Sequence, residues 1–235
     1  MSHLLKAALA RKGNELNENE MSLINRQTLR DLQPDEVFAF RMEACDDQID
    51  RDNERFSLSA LEKMAELFVG RPVLMDHQWS AGSQTARIYA AQVEDTGEKK
   101  RLVLRCYMPR TEKTKDVICA IESGILRECS VGVAISRAIC SICATDNCKS
   151  ICPHSRGRMY DGKTCHFILD EVEDAYETSM VAVPAQSEAG TIKSKRYGGL
   201  EPETSGVVPP AEDEFSLAKA RMELEYKRYG GNEDV

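Results

Sequence analysis

The sequence predicts an α+β fold, a mixed β-barrel with flanking helices and a small cysteine-rich insertion. Three observations carry this reading. Short alternating or apolar runs recur with turn-forming residues between them, two helical patterns end on Gly70 and Gly124, and five of the nine cysteines crowd between Cys140 and Cys165. The 235 residues suffice for one substantial core with extensions, and 42% hydrophobic with 30% charged residues is an ordinary soluble composition. A net charge of -8 argues against broad nucleic-acid binding, so no direct nucleic-acid partner is expected. No apolar run reaches the roughly 18 residues of a membrane span, and the stretch from Met1 to Arg11 is too short in apolar residues for a signal peptide. The sequence thus predicts a protein that stays in a cytoplasm.

The elements follow in order. Residues 4–11 and 21–32 read as helices around a polar stretch, making 1–35 an N-terminal extension. Residues 38–44 read as a strand and 46–53 as a turn, where Asp and Asn side chains bond their own backbone. Ser59 with Glu62 has the spacing of a capping box, Leu61, Met64, Ala65 and Phe68 share one helical face, and Gly70 supplies the stop. Residues 72–76 return as a strand, 86–93 and 101–107 form a hairpin, 111–123 a helix and 129–135 a further strand. The main domain is 36–193, with 136–166 as the cysteine-rich insertion. Residues 194–235 form a linker and a helical tail, with the helix at 213–229.

Two residues carry candidate chemistry. His77 follows the apolar run Val73-Leu74-Met75, and Ser130 stands in Glu128-Cys129-Ser130-Val131-Gly132. A hydroxyl becomes a nucleophile when an imidazole can take its proton, and strand ends on a rigid scaffold can bring the two together. Cys129 is a less suitable nucleophile, because strand alternation turns it to the face opposite Ser130. Oxyanion donors would come from backbone N–H groups near Ser130 or from Arg137.

Cys140-x2-Cys143, then Cys148, Cys152-Pro153-His154 and Cys165-His166, form a second constellation. Two thiolates two residues apart can grip one Zn²⁺, and Cys152 with His154 or Cys165 would complete a tetrahedron. All are soft or borderline donors, which predicts a structural zinc supplying folding energy to an insertion with little apolar content. The competing reading is a loop of unligated reduced cysteines.

The segment Gly70-Arg71-Pro72-Val73-Leu74-Met75-Asp76-His77, then Ile121-Glu122-Ser123-Gly124 leading to Ser130-Val131-Gly132-Val133, then Tyr176-Glu177-Thr178-Ser179-Met180-Val181-Ala182-Val183-Pro184-Ala185, resembles in that order the tailed-phage prohead (capsid maturation) serine proteases. These are related in fold to herpesvirus assemblins. The likeness runs from about Val37 to about Thr191 and includes Cys45-Asp46-Asp47-Gln48-Ile49-Asp50-Arg51, similar to the family's acidic opening strand and turn. It implies an assemblin-type barrel and a serine endopeptidase. His77 would be the base, Ser130 the nucleophile and Glu177 the third catalytic residue, with Asp174 and Asp76 as alternatives for the last. It implies as substrates the major capsid protein, the scaffold and the protease itself, with portal and procapsid as the setting, inside the procapsid in the host cytoplasm. A homo-oligomer would suit the assemblin likeness. Ordinary prohead proteases lack the cysteine-rich insertion. That departure keeps a second class open, a noncatalytic zinc-stabilised capsid-assembly or interaction protein.

One feature is independent of the likeness. Lys195-Arg196-Tyr197-Gly198-Gly199-Leu200-Glu201 recurs as Lys227-Arg228-Tyr229-Gly230-Gly231-Asn232-Glu233. Both copies are candidate self-cleavage sites, with Arg11-Lys12-Gly13-Asn14-Glu15 a looser third. Helix capping by basic residues and glycine would explain the second copy but not the first.

Overall fold

The computed structural model describes residues 16–182 and 189–191. Over these residues the chain is α+β, a curled mixed sheet forming a half-barrel with few helices. The strands are β1 (Val37–Asp46), β2 (Glu54–Phe56), β3 (Pro72–Met75), β4 (Ala86–Asp95), β5 (Lys100–Pro109), β6 (Cys129–Cys140), β7 (Met159–Tyr160), β8 (Lys163–Thr164), β9 (Phe167–Met180) and β10 (Gly190–Thr191). The helices are α1 (Glu18–Asn25), α2 (Leu58–Leu67) and α3 (Lys115–Glu122).

The large sheet runs β10-β1-β5-β4-β3-β9-β2, with β6 on the free side of β9 and β7-β8 a separate hairpin. Strand β9 is the hub. It pairs in parallel with β2 at Phe167 to Leu169 and with β3 at Thr178 to Met180, and antiparallel with β6 along almost its whole length. Because β3 and β6 flank the same end of β9, His77 and Ser130 approach from opposite sides of one strand.

The concave face holds the core. Helix α2 starts at Ser57, whose Oγ accepts from the Ala60 N–H at 3.0 Å, and not at Ser59, whose hydroxyl donates to Asp170 at 2.8 Å. From that start Ala60, Leu61 and Met64, then Phe68, turn into the sheet and are fully buried against Phe40, Met42, Leu102 and Leu104. Burying each large apolar side chain contributes roughly 1.5–3 kcal/mol. Gly70 ends this segment with φ +87°, a left-handed turn that glycine adopts without a Cβ clash, and its N–H bonds the Ile88 carbonyl at 2.8 Å. The hairpin β4-β5 forms as the alternation of Leu102, Leu104 and Cys106 predicts, with all three buried.

Three expectations change. Residues 16–35 are not a free extension: Leu16, Met21 and Ile24 pack under Val37, Tyr89 and Tyr107 on the outer face of the sheet. Their helix begins at Glu18 because Asn17 and Glu20 form a reciprocal cap (2.9 and 3.4 Å), a signal that apolar periodicity alone misses. The helix expected at 111–123 begins at Lys115, since Thr111 and Thr114 hydroxyls bond local backbone groups and divert the first turn. Finally, β6 continues to Cys140 by pairing Arg137, Ala138, Ile139 and Cys140 with β9, which narrows the insertion from 136–166 to 141–166. The helix expected at 4–11, the Arg11-Lys12-Gly13-Asn14-Glu15 segment, Pro184-Ala185, both Lys-Arg-Tyr-Gly-Gly segments and the tail helix lie outside the described residues. Among the described residues no helix is long and apolar enough to cross a membrane.

Candidate active site and metal centre

Strand β3 ends with the Asp76 N–H on the Met180 carbonyl (2.9 Å), and the chain then turns through two consecutive left-handed residues, Asp76 (φ 51°) and His77 (φ 53°). Neither is a glycine, so the turn costs about 1–3 kcal/mol per strained residue and is held by its surroundings. What holds it is Ser179, whose Oγ accepts the His77 backbone N–H at 3.0 Å and donates to Glu177 Oε2 at 2.6 Å. Glu177 Oε1 in turn accepts His77 Nδ1–H at 2.7 Å. Both carboxylate oxygens are thereby engaged, and Glu177 is only 1% exposed while the His77 side chain stays 40% exposed. With Glu177 as the acceptor, Nδ1 carries the ring proton and Nε2 is left free as a base.

Ser130 stands directly opposite Ser179 in the β6-β9 register, and Gly132 opposite Glu177. Paired residues of an antiparallel ladder share a face, so Ser130, Gly132, Glu177 and Ser179 project to the same side. Gly132 is required there: a Cβ at that position would collide with Glu177 Oε1. Ser130 lines one cleft of about 580 Å³ with His77 and Glu177. Its Oγ has no hydrogen-bond partner among the described residues, so the Ser130–His77 bond is not made in this conformation. Such contacts are commonly long before substrate is bound.

Cys129 points into the core with its Sγ 3.2 Å from the Glu43 carbonyl, and burial pushes its thiol up, out of nucleophilic use. Asp174 is taken by Arg71 at 2.6 Å. Arg137 is not an oxyanion donor: it pairs with Glu171 (3.4 Å) and Asp170 (3.8 Å), seven residues and roughly 20 Å along β6 from Ser130. Ser179 and Gly132 carry structural roles at the site that motif reading did not assign. The two-residue spacing from Glu177 and from Ser130 was the available signal.

At the other end of the β6-β9 pair, Cys140, Cys143, Cys152 and His154 bring one donor atom each to within 4.8 Å of one another. A tetrahedron of 2.3 Å Zn–S bonds has edges of about 3.8 Å, so a modest contraction closes the set. Turns supply the approach. Ala144 at φ 58° lets its N–H reach the Cys140 carbonyl (2.9 Å), and Asp161-Gly162, both left-handed, close the β7-β8 hairpin. Hydrogen bonding with Thr145 holds the Cys143 thiol down at about 6. His154 Nδ1 is buried without a hydrogen-bond partner among the described residues, an arrangement that costs free energy unless a ligand uses the ring. Three thiols and an imidazole therefore fit a metal. Cys165 lies outside this mutually close set, although its Sγ is 3.8 Å from that of Cys140 and it is buried beside Cys140 and Cys152 in a small cluster with Ile142, Tyr160 and Phe167.

The insertion also touches the cleft. Arg156 forms an ion pair with Glu54 and lies 5.5 Å above the Phe167 ring, while Gly157 packs on Asn53. Glu54 lines the same cleft as His77 and Ser130.

Set against known proteins, the chain matches no family model, no curated protein and no solved structure.

Proposed function

We propose that this protein is a serine endopeptidase of the assemblin-like, prohead-maturation type, acting on capsid and scaffold proteins and on itself inside a procapsid in the host cytoplasm. The observation that carries the reading is the Glu177–His77 pair in one cleft with Ser130, on the face where strand register also puts Gly132 and Ser179. The order of motifs from Gly70 to Met180 supports the family.

In this mechanism His77 Nε2 takes the Ser130 hydroxyl proton as Oγ attacks a peptide carbonyl, and Glu177 stabilises the imidazolium through Nδ1–H. His77 then gives that proton to the departing amine as the C–N bond breaks. His77 then deprotonates the water that attacks the ester, and passes that proton to the departing Ser130 Oγ. Cys140, Cys143, Cys152 and His154 would hold a structural Zn²⁺, with no part in these steps.

The test is intact-mass analysis of the wild-type chain beside Ser130→Ala, each incubated alone and with scaffold and major capsid protein. Time-dependent trimming by wild type that vanishes in the variant is expected, together with covalent labelling of Ser130 by a fluorophosphonate. Equal trimming in both proteins would end the serine-peptidase reading. The unbonded Ser130 hydroxyl favours one second reading, a noncatalytic zinc-stabilised capsid-assembly protein. That protein would show no trimming, and its binding would be lost on Cys143→Ser.

A further inference from the structure

The catalytic cleft has features that acyl transfer does not use. Its charged lining residues, apart from His77, are all acidic: Asp50, Asp52 and Glu54 beside the catalytic Glu177. On its rim stands Trp79, the chain's single tryptophan, 70% exposed and two residues after His77. Its ring tilts against Tyr176 at 5.5 Å between centroids. The loop that presents it is fixed by its own backbone, with Gln78 N–H on the Met75 carbonyl (3.0 Å) and Ser83 Oγ on the Ser80 carbonyl (2.8 Å). A large apolar ring held rigidly in water at the edge of a cleft is the usual form of a binding anchor.

The cleft also has a direction. It follows β6 from Ser130 to Ile135, about 16 Å, the length of a five-residue extended peptide. Trp79 and His77 belong to the end where β3 meets β9. The acidic residues belong to the end where β2 meets β9, because Glu54 pairs with Phe167 there. A ligand complementary to both ends is an extended peptide with cationic side chains at one end and an aromatic one at the other.

We propose, on the peptidase reading above, that this cleft recognises the segment Lys-Arg-Tyr-Gly-Gly of a second copy of this chain, which each chain carries at 195–199 and again at 227–231. The basic pair lies along Asp50 and Asp52, beside Glu54, which Arg156 already pairs, and the tyrosine stacks on Trp79. The two glycines allow the backbone to come close to Ser130. The segment recurs at two distances from the strand that ends at Thr191, so one tether length within a single chain would not serve both copies, whereas a second copy can present either.

Binding is read apart from catalysis through Trp79 fluorescence. The protein is full-length Ser130→Ala carrying Lys195→Glu, Arg196→Glu, Lys227→Glu and Arg228→Glu, so that its own segments do not compete. Titration with the synthetic peptide Lys-Arg-Tyr-Gly-Gly-Leu-Glu should give a saturable change in emission. The dissociation constant should rise at least tenfold with Tyr replaced by Ala in the peptide, and severalfold with Asp52→Asn in the protein or with added salt. Equal response to a charge-reversed peptide, or none to either, overturns the recognition. Wild-type chain should be cut within 195–199 and 227–231, with a rate per molecule that rises with protein concentration. A concentration-independent rate overturns the second-copy occupant. Trimming only at other sites refutes the recognition and leaves the peptidase standing, whereas binding without any cutting refutes the peptidase and leaves the recognition standing.

Discussion

The two ends of the β6-β9 pair are built from one ladder and stabilised in opposite ways. At the Ser130 end, the ladder is flanked by β3, the residues from Glu177 to Met180 are all buried, and both carboxylate oxygens of Glu177 are engaged. At the Cys140 end the strands part into residues 141–166, where the side chains of a small cluster replace a true core and Ile151 and Met159 are left exposed. The first end is ordered by its neighbours. The second has four side chains that could hold a metal where apolar side chains would otherwise be. The geometry of the Ser130 end is therefore expected to be insensitive to metal, and the order of the insertion is expected to depend on it.

The largest effect expected is on chemistry alone. Ser130→Ala should abolish trimming, and Glu177→Gln should lower it by about 10²–10⁴-fold by losing the acceptor that fixes the imidazole tautomer. Thermal unfolding of both variants should stay close to wild type. A large stability loss in Ser130→Ala would break the comparison, because it would make that end depend on the serine for its packing. Next is Gly132→Ala, whose new methyl must displace the Glu177 carboxylate. It should cost about 1–3 kcal/mol by denaturant unfolding and reduce activity in proportion to the lost His77–Glu177 contact. Phe68→Ala in the concave core should cost more stability, about 3–5 kcal/mol, but leave kcat of the surviving folded fraction unchanged, which separates packing from site geometry.

The sheet hairpin, the α2 stop at Gly70 and the positions of His77 and Ser130 at strand ends were legible because each rests on local periodicity or on a glycine with a positive φ. The half-barrel itself was only partly legible. Its curl follows from one long strand, β9, serving β2, β3 and β6 together, and no local pattern announces a strand with three partners. Helix starts were misplaced where a side chain caps the backbone off the apolar pattern, at Asn17 and Ser57, and where the Thr111 and Thr114 hydroxyls bond the chain ahead of the helix. Glu177 could be chosen over Asp174 from family resemblance, but the physical reason lies in Arg71, distant in sequence, which occupies Asp174. Cys165 was indistinguishable from a ligand by spacing, and it shares its burial with Cys140 and Cys152, so only the mutual distances of the donor atoms leave it out.

Metal removal should give the smallest effect on turnover and the most informative one. Chelation, or Cys143→Ser, removes a donor from a cluster whose loop has few apolar contacts of its own, so residues 141–166 should lose protection in hydrogen exchange while β4, β5 and α2 keep theirs. The disturbance can reach the cleft through Arg156 and Gly157 to Glu54 and Asn53. These residues border the acidic end and not the His77 end. Metal loss should therefore raise KM by several-fold with kcat nearly unchanged, and Arg156→Ala in the metal-bound protein should reproduce part of that rise. A fall in kcat with KM unaffected would mean that the metal end supports His77 and Glu177 after all, and the separation of the two ends would fail.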